Sequence, residues 1–337
     1  MSDPFTILCP GQGAQALGMG KAWAEAHPEA KAIFDRADAC LDAFAPTLGP
    51  DSSLTKPLSD LCFNGPADVL NRTDVSQPAI YATSIACWHA VCAIAGHSPE
   101  ASADPDNAAP LAAAAGLSLG EYTALHVAGA FGFEDGLKLV ALRGRAMQDA
   151  AEVTPSSMVA LIGADAESAA DLCGRVLDRL SDEDDSSRVM VPANFNAPGQ
   201  VVVSGSARAC DEAEQVAGEI GLRATRLTVA GAFHSPLMAP AARRLKEALD
   251  QTEVHTPRCP VLSNVTGEPH DGGDPASIRA RLVEQLTSPV RWADCARWLV
   301  ANDTPAPYEL APGKTLAGLM RRIDKATKVT THDVPTS

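Results

Sequence analysis

Hydrophobic and polar positions change their period several times along the chain, and those changes mark out its elements. Residues 158–162 form one short apolar run, the length of a strand. Residues 166–180 then carry apolar side chains at helical spacing. Valine-rich runs at 189–191 and 201–203 read as strands, with a Pro198-Gly199 turn between them. Helical spacing returns over 207–220 and a strand pattern over 224–229. The order is β-α-β-β-α-β, which is ferredoxin-like, and it predicts a compact subdomain over residues 154–229.

The flanks have a different rhythm. A strand at 6–9 runs straight into Gly11-Gln12-Gly13. Helices are predicted over 77–94, 121–130 and 135–151, and a buried strand over 111–115. That alternation predicts an α/β fold in which residues 1–153 and 230–337 form a parallel-sheet core around the inserted subdomain. The 111–115 strand is one leucine followed by four alanines, so its β character must come from its neighbours rather than from propensity. Residues 96–110 and 181–187 mix turn formers with acids and read as surface insertions.

Composition narrows the function. Of 337 residues, 46% are apolar and 20% charged, so a large core is available, and only 4% are aromatic, so it must rest on Ala, Leu and Val. The net charge of -15 argues against nucleic acid and anionic lipid as partners. No run near 18 consecutive apolar residues occurs, so no membrane span is expected. Nine cysteines stand singly with no CxxC pair, and the expectation is buried reduced thiols in a cytoplasmic protein.

Chemistry concentrates in Gly116-Leu117-Ser118-Leu119-Gly120, a G-x-S-x-G pattern between a strand and a helix. A serine on such a sharp turn projects its hydroxyl, and the following amide can point at a developing oxyanion. Ser118 needs a base. His27, His97, His255, His270 and His332 sit in polar or turn-like surroundings and are expected at the surface, while His89 and His126 lie within helices. His234, in Gly231-Ala232-Phe233-His234, follows the return of the chain from the subdomain, and strand-end loops are where catalytic groups are presented. Arg143, on the second helix after Ser118, could offer its planar fork to a carboxylate.

An ordered set of motifs resembles the malonyl-CoA:acyl carrier protein transacylases of fatty acid synthesis. It comprises PGQGAQ at 10–15, QPAIYATS at 77–84, GLSLGEYTAL at 116–125 and RGRAMQ at 143–148. It continues with NFNAPGQVVVSG at 194–205, GAFHSPLM at 231–238, SNVTG at 263–267, EQLTSPVRW at 284–292 and ELAPGKTLAGLMRRI at 309–323.

The resemblance implies an α/β-hydrolase-like core with an inserted ferredoxin-like subdomain, which agrees with the independent reading of the pattern. It implies Ser118 as nucleophile, His234 as base and Arg143 as the group that binds malonate's free carboxylate. The amides of Gln12 and Leu119 would form the oxyanion hole, and the main chain of Gln285 would orient the imidazole where a triad aspartate stands elsewhere. The implied substrates are malonyl-CoA and the phosphopantetheine thiol of acyl carrier protein, with no cofactor and no metal, in a monomer. One departure is Leu117, where the family usually has histidine. It puts acyl-chain selection and hydrolytic leakage in question rather than the chemistry. The alternatives are a serine hydrolase or thioesterase, a polyketide-pathway acyltransferase, and a non-catalytic carrier-binding relative. Because carrier proteins of this type are acidic, docking against a chain of charge -15 calls for a local basic patch, and Lys314, Arg321, Arg322, Lys325, Arg223 and Arg226 are the nominees.

Overall fold

The computed structural model describes residues 4–100, 104–181 and 188–335. The 182–187 part of the second insertion and residues 101–103 of the first lie outside the described residues. Among the described residues, eight strands divide between two sheets. Phe5–Cys9 (β1), Leu111–Gly116 (β2), Tyr308–Leu310 (β7) and Thr330–His332 (β8) form a parallel sheet in the order β2-β1-β7-β8. Ser156–Ile162 (β3), Met190–Ala197 (β4), Gln200–Ser206 (β5) and Arg223–Arg226 (β6) form an antiparallel sheet in the order β4-β5-β3-β6. With helices Ala166–Arg179 and Ala207–Glu219 as its crossovers, this second sheet has ferredoxin-like connections.

The alanine-rich β2 is a strand because of where it sits. It lies between β1 and a parallel bridge from Ala114 to Val261, so both edges are paired. Ala113 and Ala115 face one core cluster and Ala114 the other, the period of two expected of a strand buried on both faces. The antiparallel sheet uses the same alternation to join the two layers. Val159, Leu161, Val201 and Val203 pack under its helices, whereas Met158, Ala160 and Val202 face the main core.

Three boundaries differ from expectation for local reasons. β4 runs to Ala197 rather than stopping near 191, carrying Pro192, Asn194 and Asn196 that hide its pattern, with register shifts at Pro192/Asn194 and Phe195/Ala197. β6 ends at Arg226, beyond which Leu227 donates its amide to the Met158 carbonyl outside the ladder. The helix expected over 121–130 ends at Val127, because Gly129 takes φ +85° and the Ala130 amide closes back on the Leu125 carbonyl. Helix Thr73–Ala95 is long and apolar enough to cross a membrane, against the expectation drawn from runs of consecutive apolar residues. Here most of its length is buried, packed against helices Pro28–Leu48 and Phe133–Val153. All nine cysteines are free, and all but Cys40 are buried.

β1 and β2 finish in register, Cys9 opposite Gly116, so the loops that follow them emerge side by side. The turn after β2 is held by the Leu117 amide on the Cys9 carbonyl, with Ser118 at φ 54°. Neither flanking glycine has room for a side chain. A Cβ on Gly116 would lie 1.9 Å from the carbonyl carbon of Gly120, and one on Gly120 would lie 2.1 Å from the Cys9 oxygen. Since these obstacles are backbone, Gly116→Ala and Gly120→Ala should each cost about 3 kcal/mol or more by chemical denaturation. Gly174→Ala, with open space at a helical position, should cost nothing and stabilise by up to about 1 kcal/mol.

Candidate active site

Where the C-terminal ends of β1 and β2 meet the inner face of the antiparallel sheet there is a cleft of about 410 Å³. Gln12 and Ser118 line one side of it, and Met158, Val202 and Phe233 line the other. This position outside the carboxyl ends of parallel strands is the general one for α/β folds.

Ser118 and His234 both adopt left-handed backbone, at φ 54° and 57°, which is uncommon for such residues and persists only where the surroundings enforce it. The Ser118 hydroxyl lies 2.9 Å from His234 Nε2. On the far side of the ring, Nδ1 lies 2.8 Å from the Gln285 carbonyl, which fixes the proton on Nδ1 and leaves Nε2 with its lone pair toward the serine. The imidazole is 4% exposed. Burial, and secondarily the Arg143 charge, push its pKa down to about 4, so the ring is neutral at physiological pH.

Arg143 comes from the middle of helix Phe133–Val153 and is 1% exposed. Its Nη2 donates to the Ser118 hydroxyl at 3.0 Å and to Gln285 Oε1 at 2.9 Å, and its Nη1 donates to Gln77 Oε1 at 2.7 Å. The guanidinium carbon lies 5.4 Å from the centre of the Tyr122 ring, and Nε has no partner among the described residues. Every hydrogen-bond acceptor of this buried cation is neutral. Arg145, two residues further along the same helix, is instead paired with Asp74 and Asp149 and does not line the cleft.

The Ser118 amide is taken by Asn264 Oδ1. No acceptor among the described residues takes the amides of Gln12, which lines the cleft, or of Leu119, which follows Ser118 in the chain. The structure thus brings together Ser118, His234, Arg143 and Gln285, with Gln12 and Leu119 at their side. It adds Gln77, Tyr122, Glu121 and Asn264. Three of these carry a weak signal in the sequence, a polar residue inside an otherwise apolar helix or strand-end motif. Glu121 carries none, since a glutamate in the first turn of a helix is ordinary.

The histidines expected at the surface depart from that expectation to different degrees. His270 is buried, not at the surface, and its Nε2 lies 2.9 Å from Glu121 Oε1 behind the cleft. His27, His97 and His332 are partly buried, and only His255 of the five is exposed. Among the described residues, His89, Glu100 and His126 form the one group with metal-ligand spacing. Arg36 already reaches Glu100 at 3.5 Å, and none of the three lines the cleft.

Comparison with known proteins places the chain in a family. The chain is 38% identical over 325 residues to the malonyl CoA-acyl carrier protein transacylase of Bacillus subtilis, covering 96% of this chain and 92% of that one. The acyl-carrier-protein-S-malonyltransferase of Bartonella henselae superposes with a TM-score of 0.83 at 38% identity, covering 98% and 95% of the two chains. A malonyl-transacylase solved in complex with its type II polyketide acyl-carrier protein superposes with a TM-score of 0.85 at 32% identity, covering 99% and 97%. Residues 6–331, nearly the whole sequence and all the elements that build the cleft, match the acyl transferase domain family, and the chain belongs to that family.

Proposed function

We propose that this protein transfers malonyl from malonyl-CoA to the phosphopantetheine thiol of an acyl carrier protein, through an ester on Ser118. The observation that carries the reading is the buried Arg143 guanidinium, which donates to the nucleophilic oxygen and has no carboxylate among its hydrogen-bond partners. A cation so placed selects an acyl group that brings its own carboxylate. A hydrolase has no use for such a group, and the imidazole here rests on a carbonyl rather than an acidic third residue. The residues 154–229 act as a subdomain that closes the cleft over the acyl group.

In the first half-reaction His234 Nε2 takes the Ser118 proton as Oγ attacks the thioester carbonyl. The oxyanion forms against the Gln12 and Leu119 amides. Collapse breaks the C–S bond, and the departing CoA sulfur receives the proton from His234. The second half reverses the roles: the carrier thiol gives its proton to His234, its sulfur attacks the ester, and Ser118 recovers a proton as it leaves. One exchange between two bulky thiols becomes two visits to a single site, and no residue has to hold both at once. Arg143 gives up its contact with Oγ in favour of the malonyl carboxylate, which accepts two parallel N–H bonds.

Intact-protein mass measurement after mixing with malonyl-CoA tests this directly. Wild type should gain a malonyl increment that disappears when carrier protein is added, and Ser118→Ala should gain none. Arg143→Ala should lose roughly 30- to several-thousand-fold in malonyl transfer, the cost of about 2–5 kcal/mol for truncating one partner of a buried charged pair, and should gain relative activity toward acetyl-CoA. Arg143→Lys should recover only part. Retained malonyl-over-acetyl preference in the alanine variant would refute the role.

The pH dependence follows from the direction of the His234 shift. The ring must be neutral to accept the serine proton, and its pKa is about 4 rather than the ordinary 6.5. Activity should therefore persist through pH 5–6, with the acid limb of kcat/KM for acylation near pH 4. Arg143→Ala removes the lesser of the two causes, so that limb should move upward yet stay below 6.5.

Carrier docking is assigned to the basic end of the cleft. Helix Thr315–Ile323 lines the cleft with Leu316 and Leu319, and exposes Arg321 and Arg322 at its far end. Those two join Lys325 and Lys328 around a concavity that no carboxylate of the described residues lines. Arg226 drops out of the nominees, because Asp211 at 2.6 Å and Glu214 at 2.8 Å already hold it. Arg321→Glu with Lys325→Glu should raise the carrier-protein KM about tenfold and weaken its salt dependence without changing acylation by malonyl-CoA, whereas Arg226→Glu should change neither. An unchanged KM in the double variant would place docking elsewhere.

A further inference from the structure

Glu121 is fully buried in the first turn of the helix that begins at Ser118's turn, and the transfer chemistry above makes no use of it. Its carboxylate is nonetheless crowded with donors. Oε2 accepts the Gln285 side-chain amide at 2.7 Å and the Asn264 backbone amide at 2.9 Å, while Oε1 faces His270 Nε2 at 2.9 Å. The two residues gripped by Oε2 are those that touch the reacting groups from behind. Gln285 gives its carbonyl to His234 and its Oε1 to Arg143, and a second bond from its Nε2 reaches the Ser118 carbonyl at 3.0 Å. Asn264 accepts from the Ser118 amide and donates from Nδ2 to the Gly116 carbonyl at 2.8 Å.

We propose that Glu121 is the positioning residue of this site, a buried acceptor that, acting through Gln285, sets His234 and Arg143 relative to Ser118, with His270 holding the carboxylate in place. The inference rests on the acyl-Ser118 reading. Gln285 is the only residue described here that contacts base, guanidinium and nucleophile together, and its side-chain amide has both N–H groups committed, one to Ser118 and one to Glu121. Released from Oε2, that amide could rotate, carrying Oε1 away from Arg143. Displacements near 1 Å at reacting groups cost on the order of a hundredfold in rate.

Two conservative variants separate geometry from charge. Glu121→Gln keeps an oxygen at the Oε2 position while losing the charge, and its NH2 can face His270, whose Nδ1 has no partner among the described residues and can carry the ring proton instead. Glu121→Asp keeps the charge but draws the carboxylate back by one methylene, out of reach of one or both donors. The measurement is the single-turnover rate of Ser118 acylation by malonyl-CoA and by acetyl-CoA, per folded molecule, for each variant alone and combined with Gln285→Ala. Wild type run alongside establishes the adduct itself, so a failure of the acyl-Ser118 reading would be seen separately. The expected result is a ten- to hundredfold loss for Glu121→Asp with a reduced malonyl-over-acetyl ratio, and a loss within about threefold for Glu121→Gln. In the Gln285→Ala background the two variants should become equal. The proposal is overturned if Asp matches or exceeds Gln, which would make the charge the active property. It is equally overturned if both variants keep wild-type rates per folded molecule, which would leave only a structural role, or if their difference survives Gln285→Ala.

Discussion

A fully buried guanidinium with only neutral hydrogen-bond partners is the constraint around which this site is built. Removing such a cation from water costs several kcal/mol unless acceptors replace the solvent. Gln77, Gln285 and the Ser118 hydroxyl supply those acceptors, and the face of the Tyr122 ring adds a cation–π contact. None of them cancels the charge. Its field reaches the neighbouring imidazole, where it adds to the effect of burial and keeps the ring neutral. On the proposed reading, one buried side chain therefore sets the electrostatics of the base as well as the preference for the acyl group.

The fold makes that burial possible by placing the site where two layers close on each other. The short loops after β1 and β2 emerge side by side because Cys9 and Gly116 are in register. Backbone can approach backbone there because Gly11, Gly116 and Gly120 carry no Cβ: at Gly11 one would lie 2.2 Å from the Leu117 oxygen. The antiparallel sheet completes the enclosure with the even-numbered residues Met158 and Val202, while its odd-numbered neighbours are buried under its own helices. A single register slip in β3 or β5 would exchange the two sets and leave the cleft lined by the wrong faces.

The architecture was legible in the sequence wherever burial follows a simple period. The βαββαβ order could be read from 158–229 because helices Ala166–Arg179 and Ala207–Glu219 each have one apolar face and the strands between them are valine-rich. β4 was legible only at its start, since its inner positions are Asn194 and Asn196, which serve the cleft and break the apolar pattern. The same division holds at the site. Ser118 announces itself through flanking glycines and His234 through its place at the end of the subdomain. Glu121 and His270 are silent, because their significance lies in a hydrogen bond across 149 residues of chain, and nothing local distinguishes either from a surface residue. Arg226 shows the converse, a cation that looks unpaired in sequence and is paired with Asp211 and Glu214 on the adjacent helix.

The choice of a carbonyl rather than a carboxylate behind His234 follows from the same buried cation. The main-chain carbonyl of residue 285 holds the ring whatever the side chain, but an acidic side chain there would lie beside Arg143 and pair with it. The guanidinium would then be satisfied before any substrate arrived, and the advantage of an acyl group bearing its own carboxylate would vanish. Gln285 avoids this by offering only neutral oxygens to both groups, and the negative charge of Glu121 stands one residue further back, on the opposite side of the Gln285 amide. The site thus holds its base in place without neutralising its cation. A glutamine that can accept from two neighbours through its two oxygens while donating backward to a carboxylate meets both requirements, which an acidic residue at the same position could not.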